Sequence, residues 1–193
     1  NMTGTTVYNT YDTTVDQRFE IEYPEKEDIE EDYGEGAWAD VYTFISGKVN
    51  EFEKAIADGD FNKVRNLINY ESWADFFIIN EFTKNVDAYR ASCIFVYTGE
   101  AGAKIEARPL WDQELSFNNQ TPYSVYTHTD NNYKSTDQTN GLLIRNAKVY
   151  TDRFPAPFWF IGDDSNLTGG LLGDACFISV LRDRWDLHTG NGG

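Results

Sequence analysis

Along the first 24 residues, polar positions alternate with β-branched and aromatic ones, as in Thr5-Thr6-Val7-Tyr8. Between Val15 and Ile21 the alternation places Phe19 and Ile21 on one face. A period of two predicts strands, and Pro24 closes the stretch. The run Glu25-Lys26-Glu27-Asp28-Ile29-Glu30-Glu31-Asp32 predicts a solvated connector or a first helical turn rather than an acidic metal cage. From Trp38 the apolar residues fall at 38, 41, 42, 45, 49, 52 and 56. Steps of three and four define one face of a long amphipathic helix ending near Asp58-Gly59-Asp60. A second helix is predicted to begin after Ser72, read as its N-cap with Asp75 three residues on. It carries Trp73, Phe76, Phe77 and Ile79 toward Phe82 and is apolar almost all round, so it should be central.

Beyond it, Cys93 to Tyr97 reads as a buried strand, residues 98–103 with two glycines as a turn, and residues 104–115 as the return strand of a hairpin. Residues 118–141 are polar and turn-rich, a long surface loop. The proline-stiffened stretch Phe154-Pro155-Ala156-Pro157-Phe158-Trp159-Phe160 is expected to pack under the last helix rather than to stack on carbohydrate. That helix, about Asp174 to Leu187, should bury Phe177, Val180, Leu181 and Trp185 and expose Arg182 and Asp183. The pattern is α+β: an extended segment over residues 1–24, then helices packed around a β-hairpin over residues 25–193, one domain overall.

Composition narrows the partners. With 32 acidic and 16 basic side chains the formal charge is −16, so nucleic acid and anionic membrane surfaces are poor matches. With 40% apolar and 16% aromatic residues, the chain buries an ordinary core and is not a disordered acidic tail. No run approaches the about 18 apolar residues of a membrane-spanning helix. The start, Asn1-Met2-Thr3-Gly4, shows no signal peptide, although the abundance of Asn and Thr with little Lys has the look of a secreted or cell-surface protein. Cys93 and Cys176 allow one disulfide or two buried thiols, and buried thiols are the default reading.

Candidate chemistry gathers around the hairpin. Asp87 follows the central helix in Asn85-Val86-Asp87, while Asp112 and Glu114 fall on the predicted return strand, pointing to one face with Gln113 opposite. Because a hairpin doubles back, the three acids are expected to meet beside the end of the helix. Carboxylates gathered in this way repel unless a cation neutralises them, and hard oxygen ligands suit Mg2+ or Mn2+ on a nucleotide polyphosphate. In phosphoryl transfer one Asp orients the attacking hydroxyl, an Asn five positions on holds a metal, and a later Asp bridges metal and phosphates. Five positions after Asp87 stands Ser92. The plain structural alternative has Asp87 capping a turn and Asp112 or Glu114 paired with Arg90 or Arg108. Asp130, Asn132 and Asp137 lack the glycine and closing Glu of an EF-hand loop, so they do not read as a calcium site.

The stretch from Trp73 through Asn80-Glu81-Phe82-Thr83-Lys84-Asn85-Val86-Asp87 to Ser92, then Phe95-Val96-Tyr97, then Pro109-Leu110-Trp111-Asp112-Gln113-Glu114-Leu115-Ser116-Phe117, resembles the spore coat protein H (CotH) kinase family. Phe19 to Pro24 and the stretch Phe177 to Trp185 resemble its flanking parts, so the likeness spans about residues 17–187. The resemblance implies an atypical protein-kinase-like C-terminal lobe that transfers phosphate from ATP to Ser or Thr of extracellular or coat proteins. It implies Asp87 as the catalytic-loop Asp and Asp112 as the metal-binding Asp, with Glu114 and Ser92 as further metal ligands. Asn85 and Arg90 are then expected at the nucleotide, and Trp73, Trp111 and Trp185 as structural residues. Ser92 stands where many members carry Asn, and no glycine-rich phosphate loop is apparent, so the chain reads as the C-terminal part of a longer kinase. Two alternatives are a glycoside hydrolase with Asp112 and Glu114 paired on a strand, and a non-catalytic surface-assembly or carbohydrate-associated module.

Overall fold

The computed structural model describes residues 5–8, 18–85, 87–89, 93–117, 142–144, 159–162 and 169–190. Strands β1 (Thr5–Tyr8) and β2 (Arg18–Ile21) pair antiparallel, with Val7 opposite Phe19 and Thr5 opposite Ile21. The predicted period of two is thus realised as a hairpin. Four helices follow: α1 (Lys26–Tyr33), α2 (Ala37–Ala57), α3 (Phe61–Leu67) and α4 (Tyr70–Thr83). A second antiparallel pair, β3 (Cys93–Val96) and β4 (Glu106–Leu110), comes next. A 3-10 turn (Leu171–Gly173) then leads into α5 (Ala175–Thr189). Mixed helices with two small sheets agree with the α+β expectation.

Helix α3 is silent in the hydrophobic pattern because seven residues give too few repeats to show a period. Its start is nevertheless marked by Asp60, whose carboxylate accepts the Lys63 N–H at 3.1 Å. Helix α4 begins earlier than Ser72. Asn69 is the N-cap, accepting from Glu71 and Ser72 N–H at 3.1 and 3.3 Å, and the Ser72 hydroxyl instead accepts the Ala107 N–H of β4 at 3.2 Å. Asp75 is no capping-box partner either. Arg184 of α5 donates to both its oxygens, with Nε on Oδ1 at 2.7 Å, and His188 Nε2 lies 2.9 Å from the same Oδ1, which staples α5 to α4. Burial alone raises the Asp75 carboxyl, but the contacts from Arg184 and His188 outweigh it and hold the group below the usual carboxylate range.

Nine of the fourteen residues of α4 are buried, among them Trp73, Phe76 and Phe77, as its all-round apolar middle requires of a central element. Around it lies an aromatic core in which the Phe160 ring comes within 6.2 Å of Trp73, Phe76, Phe77, Tyr89 and Phe177. Trp159 and Phe160 therefore pack in the core under α4 and α5, as expected of their segment; residues 154–158 and 118–141 lie outside the described residues. The β3–β4 hairpin clips onto the α3–α4 junction. Ile105 N–H donates to Leu67 O at 2.8 Å, and Ile105 O accepts from Asn69 N–H and from the Trp73 indole, both at 3.0 Å. Three expectations fail on burial. Strand β3 is only half-buried, Cys176 is an exposed free thiol, and Trp185 is 44% exposed because it sits on the outer edge of α5. Arg182 and Asp183 are exposed as predicted.

Glu53 breaks the amphipathic rule of α2. It is fully buried next to Phe52, with Oε1 accepting the Trp159 indole N–H at 2.9 Å. Among the described residues Oε2 has no hydrogen-bond partner. Burial pushes its carboxyl up to about 7 from an ordinary 4.5, against the downward pull of the Trp159 donor. The folded state thus holds a proton that the unfolded chain releases near pH 4.5. Stability from this group is complete below that pH, declines as pH rises to about 7, and is level beyond. By linkage the loss is on the order of 3 kcal/mol. Urea unfolding of Glu53→Gln should match the native chain near pH 4.5 and exceed it by roughly 1–3 kcal/mol at pH 8. A native chain with no greater pH dependence than the variant would show that Glu53 stays ionised.

Candidate functional site

The candidate site is built where α4 ends. Lys84 adopts the left-handed conformation (φ 55°, ψ 44°) with its N–H bonded to Asn80 O, an end that usually uses glycine. The chain then turns on Asn85. Its Oδ1 accepts the Asp87 N–H at 3.2 Å, and its carbonyl accepts the Ala88 N–H at 3.1 Å, the local closure that Asn side chains favour. Asn85 is fully buried and Asp87 only 9% exposed.

A buried carboxylate holds the far side of this turn. Glu81 Oε1 accepts from the Tyr89 hydroxyl at 2.9 Å and the Ile144 N–H at 2.8 Å, and Oε2 accepts the Leu143 N–H at 2.5 Å. The Lys84 ammonium lies 3.6 Å away. Burial raises the Glu81 carboxyl, and these donors only partly offset it. The Tyr89 phenol is likewise driven up, by burial and by the Glu81 charge. Sequence reasoning passes over Glu81 because a lone Glu in a helix reads as solvated. Its one signal is its place in an otherwise apolar stretch.

The second half of the site comes from residues 111–117. Strand β4 stops at Leu110, so Asp112 and Glu114 are not on a strand. The chain bends away at Asp112 (φ 50°) and Phe117 (φ 52°), and the ladder ends because the left-handed region is incompatible with strand pairing. Asp112 and Glu114 are still exposed while Gln113 points inward, so the expected alternation survives without the strand that was to produce it. Gln113 Nε2 donates to Asn80 Oδ1 at 3.2 Å, and its Oε1 accepts from the Ser116 hydroxyl at 2.9 Å. The Phe117 N–H donates to Thr83 O at 2.7 Å, and the Asn85 amide donates to Asp112 O at 3.1 Å. The acidic turn is therefore laced along the last turn of α4, beside the Asp87 turn.

The two backbones meet as the hairpin logic predicts, but the three carboxylates do not close into one cluster. Among the described residues no three acidic, His or Cys side chains form a group that could hold a metal ion. The donor set that remains is two exposed carboxylates on one turn. That suits an ion such as Mg2+, which keeps several waters and needs only one or two carboxylates when it arrives with a nucleotide. Arg90 and Ser92 lie outside the described residues. Arg108 pairs with Glu106 of its own strand. Trp111 is 58% exposed, so it is no core residue, whereas Trp73 is fully buried as expected. The hydrolase alternative loses its premise with the strand.

A cavity of about 860 Å3 opens nearby between α4 and α5, lined by Phe77, Phe82, Lys84, Leu181 and Trp185 among others. Neither Asp87, Asp112 nor Glu114 lines it, so the acidic turns and not the cavity mark the candidate chemistry. No described helix is long and apolar enough to cross a membrane.

Compared with known proteins, residues 3–154 match the family described as CotH kinase protein. The match starts before β1, takes in both acidic turns, and ends ahead of α5. No curated protein and no solved structure matches the chain.

Proposed function

Because the chain belongs to the CotH kinase family, we propose that it is an atypical protein-kinase-like phosphotransferase that moves the terminal phosphate of ATP to a Ser or Thr hydroxyl of an extracellular or coat protein. The observation that carries this reading is the lacing of the Asp112 turn to the Asp87 turn through Asn85. It gives two acidic elements, 25 residues apart in sequence, one shared support at the end of a buried helix.

In this reading the Asp87 carboxylate accepts the proton of the acceptor hydroxyl as its oxygen bonds to phosphorus and ADP departs. Asp112 and Glu114, both exposed, are the residues that would hold a divalent ion, with Ser92 as a further oxygen donor and Arg90 facing the phosphates. The ion would neutralise charge on the phosphates. The kinase-like lobe and a location outside the cell, at the surface or in a spore coat, belong to the same proposal.

Titration calorimetry tests it. The full chain should bind ATP with Mg2+ or Mn2+ and not without, and Asp112→Ala should weaken binding by about tenfold or more, the loss of one charge-assisted contact. A chain that ignores ATP in the presence of either ion would instead support a non-catalytic surface module.

A further inference from the structure

The structure gives Asn85 a place that neither solvent nor a nucleotide reaches: it is fully buried, with both ends of its amide spent on backbone. Its Oδ1 takes the Asp87 N–H at 3.2 Å, and its Nδ2 gives a proton to Asp112 O at 3.1 Å. Gln113, one residue on, works on the same turn from the other side. It ties to Asn80 Oδ1 at 3.2 Å and to the Ser116 hydroxyl at 2.9 Å, while Asn80 itself is fully buried and anchored to Phe76 O at 2.9 Å.

Neither turn has a regular element to hold it. Strand β4 has already ended at Leu110, and the Asp87 turn follows a helix end formed by a left-handed lysine. Beside the Phe117 N–H on Thr83 O, the side-chain amides set one turn against the other. We propose that Asn85 and Gln113 are positioning residues, an internal amide brace that fixes the spacing of the Asp87 and Asp112 turns without touching substrate. This rests on the phosphotransfer reading only for its catalytic consequence. The brace itself is a property of the fold.

An amide suits Asn85's place. It must accept from the buried Asp87 N–H and donate to Asp112 O, so a carboxylate leaves the carbonyl without its donor and an alkyl group leaves both partners unmet. Small displacements between reacting groups are costly, on the order of 100-fold in rate for about 1 Å.

The experiment combines amide hydrogen exchange with steady-state kinetics on the full chain, comparing the native protein with Asn85→Asp and Gln113→Leu. Asn85→Asp keeps the acceptor for Asp87 but sets an oxygen against Asp112 O. Gln113→Leu loosens the turn from its half-buried side, where folding is least at risk. In both, the Ser116 and Phe117 amides should exchange about tenfold faster or more while those of α2 stay protected. Turnover should fall about tenfold or more with KM for ATP little changed. Unchanged exchange at residues 112–117 in Gln113→Leu, or a raised KM with turnover kept, would overturn the brace. A native chain that transfers no phosphate would overturn the kinase reading instead, and the exchange data would still decide the brace.

Discussion

Asp87→Asn is expected to lower phosphate transfer by at least about 100-fold, the usual contribution of a positioned general base, while leaving the protein folded. The substitution removes the charge and the proton acceptor but keeps the shape. It also keeps the backbone N–H that Asp87 gives to Asn85 Oδ1, a tie that holds the residue in its turn. A loss confined to turnover, with ATP binding retained and a thermal midpoint within a few degrees of the native chain, is the expected outcome of a radiolabelled transfer assay paired with a melt. Loss of the fold would mean that the carboxylate caps the turn, as the plain structural alternative has it. Unchanged transfer would place the chemistry elsewhere.

Gly170→Ala is expected to destabilise the chain by about 3–6 kcal/mol, a large share of the stability of a typical domain. Gly170 sits at φ 57°, ψ −158°, a region essentially reserved for glycine. A Cβ there would meet Phe160 C, Trp159 O and Gly162 N at 2.6, 2.7 and 2.8 Å, all of them backbone and unable to swing aside. Gly162 and Gly169 are closed off in the same crossing. The strain would fall on the segment that carries Trp159 and Phe160 into the core. Gly47→Ala is the matching control. Gly47 is exposed within α2 with nothing near its Cβ position, so alanine there should stabilise by roughly 0.5–1 kcal/mol. Equal melts for the two variants would show that the crossing relaxes.

The parts of the fold legible in the sequence are those fixed by local repetition. Helix α2 spans enough turns to declare its face, α4 its all-round burial, and Thr5 to Tyr8 their alternation. What escapes is decided by neighbours distant in sequence. Glu53 looks like one more solvated residue on α2 until Trp159, 106 positions away, is found to bond it. Sequence alone points to Ser72 as the cap of α4, but the hairpin takes the Ser72 hydroxyl for Ala107 and Asn69 caps the helix instead. The site divides in the same way. Asp87 and Asp112 stand out by residue type and spacing, but Asn80 and Gln113 become partners only because β4 ends early and lets the chain fold back over α4.

The staple between α4 and α5 bears on how the chain comes to be folded. Tyr70 bonds Asp174, Glu53 bonds Trp159, and Asp75 takes Arg184, each across more than 100 residues. Such contacts slow folding, because long loops must close before they are rewarded. On the ribosome the aromatic face of α4 emerges long before the residues that cover it. At about 5–20 residues per second, Trp73 and Phe76 wait on the order of 5–20 s for their cover. During synthesis, then, the same helix that anchors the finished core is the surface most open to a chaperone.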